Sequence, residues 1–590
     1  MKKIYLTLAA AGSVLACVSA GAQNLNPTVS VTKAYEGSLM EVHKPAQEMF
    51  VPDSLKRFDL DFDYSVFENP YKGSYDFSPY LLEMKPQAAA LTGRKFYLKA
   101  GTGYRLRPSL DLVWEPLTKG RFRMSVYGSH HSYIGDYKNM QFDADGILKS
   151  AGGSWNGYDL YSTAGANAQA DLGKAVIAFD LNYKGIQGKT GEGATGFNSA
   201  RAFAHIYSTS LSENFLYYDI AVNYAFSSQG MLAGDRALNA NDLDFKFTLG
   251  PVLSRHNRIL ADVGYGMTWY KGYMNTAIGT AYITPKYAFD KNRWDLSLGV
   301  KLGFNISEKD KPESINTNKG TMIYPDVYIG FEAVRDYLNL YFRATGGDYR
   351  NQFSSMKEKY HFYLPSHGLT NNYVEQYNLA LGFAGNIRNR FRYDVRGGFR
   401  SYEDMPFDGI SAIRIGTAAP TVADNLMYMS NMMVVGGTAG YVNMKFQWDS
   451  RDFTLDSDFR INSNSFKDSE IANQHIYLNQ SLFSGHLDGT YNWKKRIFAG
   501  VSAEFATVRK GETTLVSMQE SGGELTPVAH TTMNVRVPGW LNLGLHAEYA
   551  FNNKLSFWLR GENLLNMRIQ RYGMYMDGGV GFTAGICLNL

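Results

Sequence analysis

Hydrophobic and polar positions alternate with a period of two over most of this chain. From Val580 to Leu590 the even positions Val580, Phe582, Ala584, Ile586, Leu588 and Leu590 are apolar or small, and the odd positions Gly579, Gly581, Thr583, Gly585, Cys587 and Asn589 are small or polar. Such a period puts successive side chains on opposite faces of an extended strand. The pattern recurs. Ile259, Ala261, Val263, Tyr265, Met267 and Trp269 oppose Arg258, Asp262 and Thr268, and Phe391, Tyr393, Val395 and Phe399 oppose Arg392, Asp394, Arg396 and Arg400. Each apolar face is about 9–11 residues long, enough for a tilted strand to cross hydrocarbon. From residue 94 to 590 these segments predict an all-β fold, a transmembrane antiparallel β-barrel of about 22 strands. An even count returns both ends to one side of the membrane.

The connections alternate as well. Tight turns are predicted near Leu172-Gly173, Arg255-His256-Asn257, Asp290-Lys291-Asn292, Arg335-Asp336, Arg388-Asn389, Ser450-Arg451, Lys494-Lys495 and Asn552-Asn553. Between them lie Gly/Ser/Asn-rich stretches, read as long loops over 136–154, 187–200, 228–242, 306–320, 349–372, 403–430 and 509–532. Short turns on one rim and long loops on the other are the signature of an outer-membrane barrel. Pro251, Pro285 and Pro325 interrupt strands, so bulges or strand ends are expected there.

Composition supports this. With 41 Tyr, 35 Phe and 58 Gly the chain is aromatic and Gly-rich, yet its mean hydropathy is slightly negative, as expected when lipid-facing and interior residues cancel. A net charge of +4 is too small to argue for nucleic acid. Lys2-Lys3, the apolar run Ile4–Val18 and Ala20-Gly21-Ala22 read as a signal peptide over 1–22, and so predict export to the outer membrane of a Gram-negative bacterium. Val14-Leu15-Ala16-Cys17 is a competing lipobox, a poorer match than the site after Ala22. Cleavage leaves Cys587 alone, so the mature chain has no internal disulfide. Residues 23–93, with Pro27, Pro45, Pro52, Pro70, Pro79 and Pro86, read as an irregular periplasmic or lumen-filling segment with one short strand over Phe58–Val66.

The polar faces carry Asp262, Lys301, Asp326, Glu332, Arg343, Asp394, Arg396, Glu504, Glu548, Arg560 and Glu562. A central Arg or Lys on the lipid face would cost ~2–4 kcal/mol, so these charges are expected to face the lumen. No nucleophile elbow, zinc-protease helix or phosphate loop is present, and no enzymatic activity, metal or cofactor is expected. The adjacent His130 and His131 should point to opposite faces, a poor metal site. Met427, Met429, Met432 and Met433 read as apolar filling where a long loop meets a strand.

Gly561-Glu562-Asn563-Leu564-Leu565-Asn566, Tyr572 and the terminal strand resemble the C-terminal end of TonB-dependent outer-membrane receptors. The resemblance implies uptake of a solute such as a metal chelate, glycan or peptide, with outer-membrane lipid around the barrel and other outer-membrane or periplasmic proteins, the TonB system among them, as partners. Pro27-Thr28-Val29-Ser30-Val31-Thr32 is loosely similar to the family's TonB-contacting box. Residues 23–93 are too short for the family's plug, so the chain resembles a plug-less or plug-reduced receptor of the Bacteroidota type. The alternative is a non-transporting barrel serving as a structural or assembly subunit of an outer-membrane complex, with 23–93 as the docking segment. N-terminal sequencing of the exported protein should begin at Gln23; a start at Cys17 would mark a lipoprotein instead.

Overall fold

The computed structural model describes residues 95–590 except 118–119, 190–192, 210–214, 231–236, 307–320, 363–371, 416–426, 468–475, 478–480, 522–523, 572–574 and 577–578. The signal peptide, the segment 23–93 with its strand at Phe58–Val66, and the box at 27–32 lie outside the described residues. The described strands are β1 (Phe96–Tyr104), β2 (Ser109–Leu117), β3 (Phe122–Phe142), β4 (Leu148–Asp171), β5 (Ala175–Lys189), β6 (Ala194–Ser208), β7 (Leu216–Gln229), β8 (Leu238–Ser254), β9 (Asn257–Gly272), β10 (Thr276–Lys291), β11 (Trp294–Asn305), β12 (Thr321–Val334) and β13 (Leu338–Arg350). They continue with β14 (Asn372–Ile387), β15 (Phe391–Ile415), β16 (Met427–Asp449), β17 (Phe453–Phe466), β18 (Ile476–Tyr477), β19 (Phe483–Trp493), β20 (Ile497–Ala506), β21 (Arg509–Ser521), β22 (Glu524–Val537), β23 (Trp540–Ala550), β24 (Leu555–Glu562) and β25 (Gly581–Asn589). One helix, α1 (Phe353–Lys359), interrupts the run between β13 and β14.

Following the ladders gives one closed ring. β1 to β17 pair in sequence, β17 pairs β19, β19 pairs β20, β20 pairs β23, and β23, β24 and β25 lead back to β1. β18, β21 and β22 stand outside the ring, which leaves a closed antiparallel barrel of 22 strands. The seam joins Tyr97↔Asn589 through Tyr104↔Phe582. It needs glycine: a Cβ at Gly585 would lie 2.0 Å from the Ala100 carbonyl oxygen, and one at Gly103 1.8 Å from that of Phe582.

The tight turns fall at the sequence positions that predict them. Arg388-Asn389 and Lys494-Lys495 have both central residues at positive φ (54° and 55°, 54° and 57°), the geometry whose twist matches the strands it joins. The predicted long loops are different. Most of 136–154, 187–200 and 403–430, and both flanks of 228–242, is strand, because β3–β4, β5–β6, β7–β8 and β15–β16 run on as paired hairpins beyond the wall. The segment 509–532 is the hairpin β21–β22. Polar, Gly-rich composition reads as loop, but pairing satisfies the backbone there equally well.

The prolines also depart from expectation. Pro251 lies inside β8, three residues before its end; it pairs Leu216 at the start of β7, and pairing towards β9 skips it, passing from Leu249↔Ala261 to Val252↔Arg258. Pro285 keeps its register with Ala261, and pairing towards β11 simply skips it, passing from Ile283↔Leu302 to Lys286↔Gly299. Pro325 pairs Val300 without a bulge and precedes the first pair with β13. Each missing N–H is accommodated where one ladder is interrupted.

Ile323, Leu381 and Leu559 are 72 %, 67 % and 54 % exposed on the apolar face. A continuous apolar belt of this size requires lipid. Near the loop-side rim the Tyr183 hydroxyl donates to Asn198 Oδ1 (2.6 Å) and that of Tyr224 to Asn241 Oδ1 (2.8 Å), and near the turn-side rim Tyr287 donates to Asn257 Oδ1 (2.5 Å). Such rings sit where hydrocarbon meets headgroups. Replacing Leu381, midway along β14, by Arg should cost about 2–4 kcal/mol, whereas Leu253→Arg beside a turn should cost about 0–1 kcal/mol. Urea unfolding in vesicles measures both, and equal costs would disprove the belt.

Candidate functional site

Register places the residues singled out in the sequence on one face of the sheet, opposite the exposed apolar side chains. Lys301 neighbours Tyr324, whose fellow residues Asp326 and Tyr328 face Thr345 and Arg343 on β13. Asp394 and Arg396 follow across β14. Glu504, Glu548, Arg560 and Glu562 occupy the same face of β20, β23 and β24. Several are paired locally. Lys286 donates to Asp262, Arg571 to Glu504 (2.8 Å), Ser556 to Glu548, and Arg107 and Arg560 to Glu562 (2.8 and 3.1 Å). Lys301 Nζ donates to the Gly346 carbonyl (3.0 Å). Glu332 caps the following turn by accepting from the Asp336 N–H (2.9 Å).

The two histidines separate. His131 Nε2 meets Asp111 Oδ1 on the polar face (3.1 Å), and His130 Nδ1 meets Ser162 Oγ on the other (2.8 Å). Met427, Met429, Met432 and Met433 belong to β16 and pair with β15; their side chains lie outside the described residues. In the receptor-like motif Asn563 and Asn566 adopt positive φ (50° and 51°). Asn563 Nδ2 donates to the Met567 carbonyl (2.8 Å), and its Oδ1 accepts from the Met567 N–H (2.9 Å). Leu564 hydrogen-bonds back to Leu543 (2.9 Å). The motif therefore shapes the turn after β24, and Tyr572 is outside the described residues.

The segment 350–362 folds onto the polar face and runs from β13 towards β3. Arg350, whose side chain is 5 % exposed, donates to Asp244 of β8 and to Thr268 of β9 (3.0 Å). Gln352 donates to the same Asp244 (2.7 Å). α1 then turns Phe353 and Met356, three residues apart and so on one helical face, into a core with Ile186, Phe197, Leu238, Ala240, Tyr270 and Ile278. Glu358 pairs Lys184 of β5. His361 Nδ1 lies 2.9 Å from both oxygens of Asp159 and stacks on Tyr161 (centroids 5.5 Å, 6°). Phe362 stacks on Tyr575 at 4.1 Å and meets Tyr137 edge-on. This strap packs against the polar side of β4, β5, β8 and β9. Tyr349, Phe353, Tyr360, Phe362 and Tyr363 crowd this stretch of the sequence, a signal by which it can be found; Tyr363 is outside the described residues.

The hairpin β21–β22 lies over the same rim. β21 pairs in parallel with the tip of β15, Ala412↔Leu515 to Ile415↔Met518. The Arg536 N–H reaches the Gly146 carbonyl in the β3–β4 connection (2.7 Å).

No family model matches the chain, and no curated protein matches it in sequence. Solved structures do match. The FrpB iron transporter from Neisseria meningitidis (F3-3 variant) is 10 % identical with a TM-score of 0.59, over 85 % of this chain and 82 % of that one. The siderophore receptor PirA from Acinetobacter baumannii is 10 % identical with a TM-score of 0.53, over 84 % and 80 %. The ferric-catecholate import receptor Fiu from K12 E. coli is 9 % identical with a TM-score of 0.54, over 84 % and 82 %. The similarity is one of fold: these structures and this chain share the large closed β-barrel.

Burial holds the Lys357 ammonium down to about 7 from its ordinary 10.5, with Asp159 opposing the shift. A lysine with a lowered folded pKa binds fewer protons than in the undocked strap, so docking strengthens as pH rises from about 7 to about 10 and is weakest below that window. Hydrogen exchange of residues 353–359 should slow correspondingly over this range after correction for intrinsic rates. Lys357→Met should remove the dependence; a profile unchanged in that variant would refute it.

Proposed function

We propose that this chain is an outer-membrane uptake barrel whose polar face, including Asp262, Lys301, Asp326, Glu332, Arg343, Asp394, Arg396, Glu504, Glu548, Arg560 and Glu562, lines the path of a solute. The observation that carries this reading is a closed 22-strand ring with charges on one face and a strap anchored to that face by Arg350, Glu358 and His361. A ring of that size leaves a wide lumen, and a charged interior face with a strap anchored to it suits a passage better than a surface that only anchors a complex. The solved neighbours support the reading, since their names describe a siderophore receptor, an iron transporter and a ferric-catecholate import receptor.

Residues 23–93, following a signal peptide over 1–22, are proposed to fill the lumen from the periplasmic side or to dock a periplasmic partner, with TonB coupling as the energy source. Deleting the gene should abolish accumulation of one solute class from a panel of ferric siderophores, glycans and peptides, and deleting TonB should have the same effect. Liposomes containing the full protein should leak small solutes slowly, and faster when Arg350 is replaced by Ala. If no solute in the panel changes and the vesicles pass nothing with either protein, the uptake reading fails. Loss of accumulation on gene deletion but not on TonB deletion would leave an uncoupled pore.

A further inference from the structure

We infer that Arg343, Arg396 and Arg400 form a binding site for an anionic group, a carboxylate or a phosphate, on the wall of the barrel between β13 and β16. This rests on the uptake reading and names the chemistry of its solute. The backbone register builds the site. Across β14, Arg343 stands opposite Ala380, Arg396 opposite Gly382 and Arg400 opposite Asn378. Three guanidinium-bearing positions therefore surround a strip only two strand spacings wide, about 10 Å. The floor of the strip is made of small residues: Ala380 and Gly382 on β14, and Gly398 on β15.

Tyrosine rings cover the glycines. A Cβ on Gly382 would come within 2.5 Å of the Tyr341 hydroxyl oxygen, and one on Gly398 within 2.5 Å of that of Tyr441. Both hydroxyls are held: Tyr341 donates to Asp394 Oδ1 (2.5 Å) and Tyr441 to Asn378 Oδ1 (2.6 Å). Arg396, Arg400 and Arg343, together with the acid Glu375, all lie within electrostatic reach of Tyr441, and Arg343 lies within reach of Lys301 along with Asp326 and Asp262.

The neighbouring acids compensate this group only in part. Asp394 accepts from the Tyr341 hydroxyl and from no arginine among the described residues. Glu375 forms an ion pair with Arg400 at 3.6 Å, while Arg400 Nε is buried with no partner among the described residues. Asp326 lies on β12 and forms no ion pair with Arg343. Elsewhere the wall pairs its cations closely, as with Arg107–Glu562 (2.8 Å) and Arg571–Glu504 (2.8 Å). Arg343 and Arg396 have neither a hydrogen bond nor an ion pair among the described residues. A planar fork of donors without an acceptor suits a carboxylate or phosphate, which it can hold through two parallel hydrogen bonds.

The test is isothermal titration of the full detergent-solubilised protein at low salt, where charge pairing is least screened, with citrate and inorganic phosphate as probes. The double variant Arg343→Ser with Arg396→Ser should weaken binding by tenfold or more. Arg335→Ser with Arg388→Ser, the same two-charge change in exposed turns, should stay within twofold of the parent. Heat-modifiable migration on gels shows whether each variant barrel is closed, and Arg343→Lys with Arg396→Lys, which keeps the charge, supplies a second comparison if the serine variant does not close; it should bind at least threefold more weakly than the parent. Tighter binding of citrate would point to a polycarboxylate, and of phosphate to a phosphate ester. No binding of either probe, or equal binding by parent and closed variants, overturns the site. A titration contrast that stands while vesicles and cells show no flux leaves the site intact and removes the uptake reading alone.

Discussion

Inside hydrocarbon no water is available to satisfy a peptide group, and every feature of this barrel follows from that. Each strand must have a partner on both sides, so the sheet must close on itself. The ring of 22 strands meets this demand with β1 against β25. Prolines occupy places where one ladder is already interrupted. Closure in turn fixes the faces, because a period of two leaves each side chain either against lipid or against the interior. The apolar face takes the acyl chains, and all ionic chemistry is driven to the other.

Once charges are confined to one face, they must be paired with each other or with something that enters. Much of the wall chooses the first option, through contacts between neighbouring strands such as Lys286–Asp262 and Lys445–Asp458. The strap uses the same chemistry over a longer range. Arg350, Glu358 and His361 are each anchored to a different strand, so the segment is held at several points rather than at one. The stretch between β13 and β16 takes the second option and leaves the guanidiniums of Arg343 and Arg396 without acceptors among the described residues.

The wall was legible in the sequence because its rule is local. Phe391 to Arg400 alternate within ten residues, and the turn at Lys494-Lys495 announces itself by charge between two apolar runs. The strap was not legible as a structure. Its contacts join Arg350 to Asp244 and His361 to Asp159, positions 106 and 202 residues apart, and no periodicity encodes such distances. Its aromatic density was the only signal. The hairpin β21–β22 looks like a loop in the sequence because its Thr/Gly/Ser composition shows no clear apolar face; its pairing is backbone to backbone, which composition does not record. The arginine cluster was visible only as two members of a longer set of charges, since their convergence depends on the register of β14 between β13 and β15.

The seam has a consequence for how the protein comes to exist. β1 and β25 are neighbours in space but sit at opposite ends of the described sequence, so the contact that completes the cylinder is also the one with the greatest chain entropy to overcome. Until it forms, two unpaired edges remain, each a template for another sheet. Glycines at this join let the edges approach without displacing side chains. Biogenesis of the protein is therefore a race between zipping its own last ladder and recruitment of a foreign edge, and assembly factors that shelter an open sheet would act at this join first.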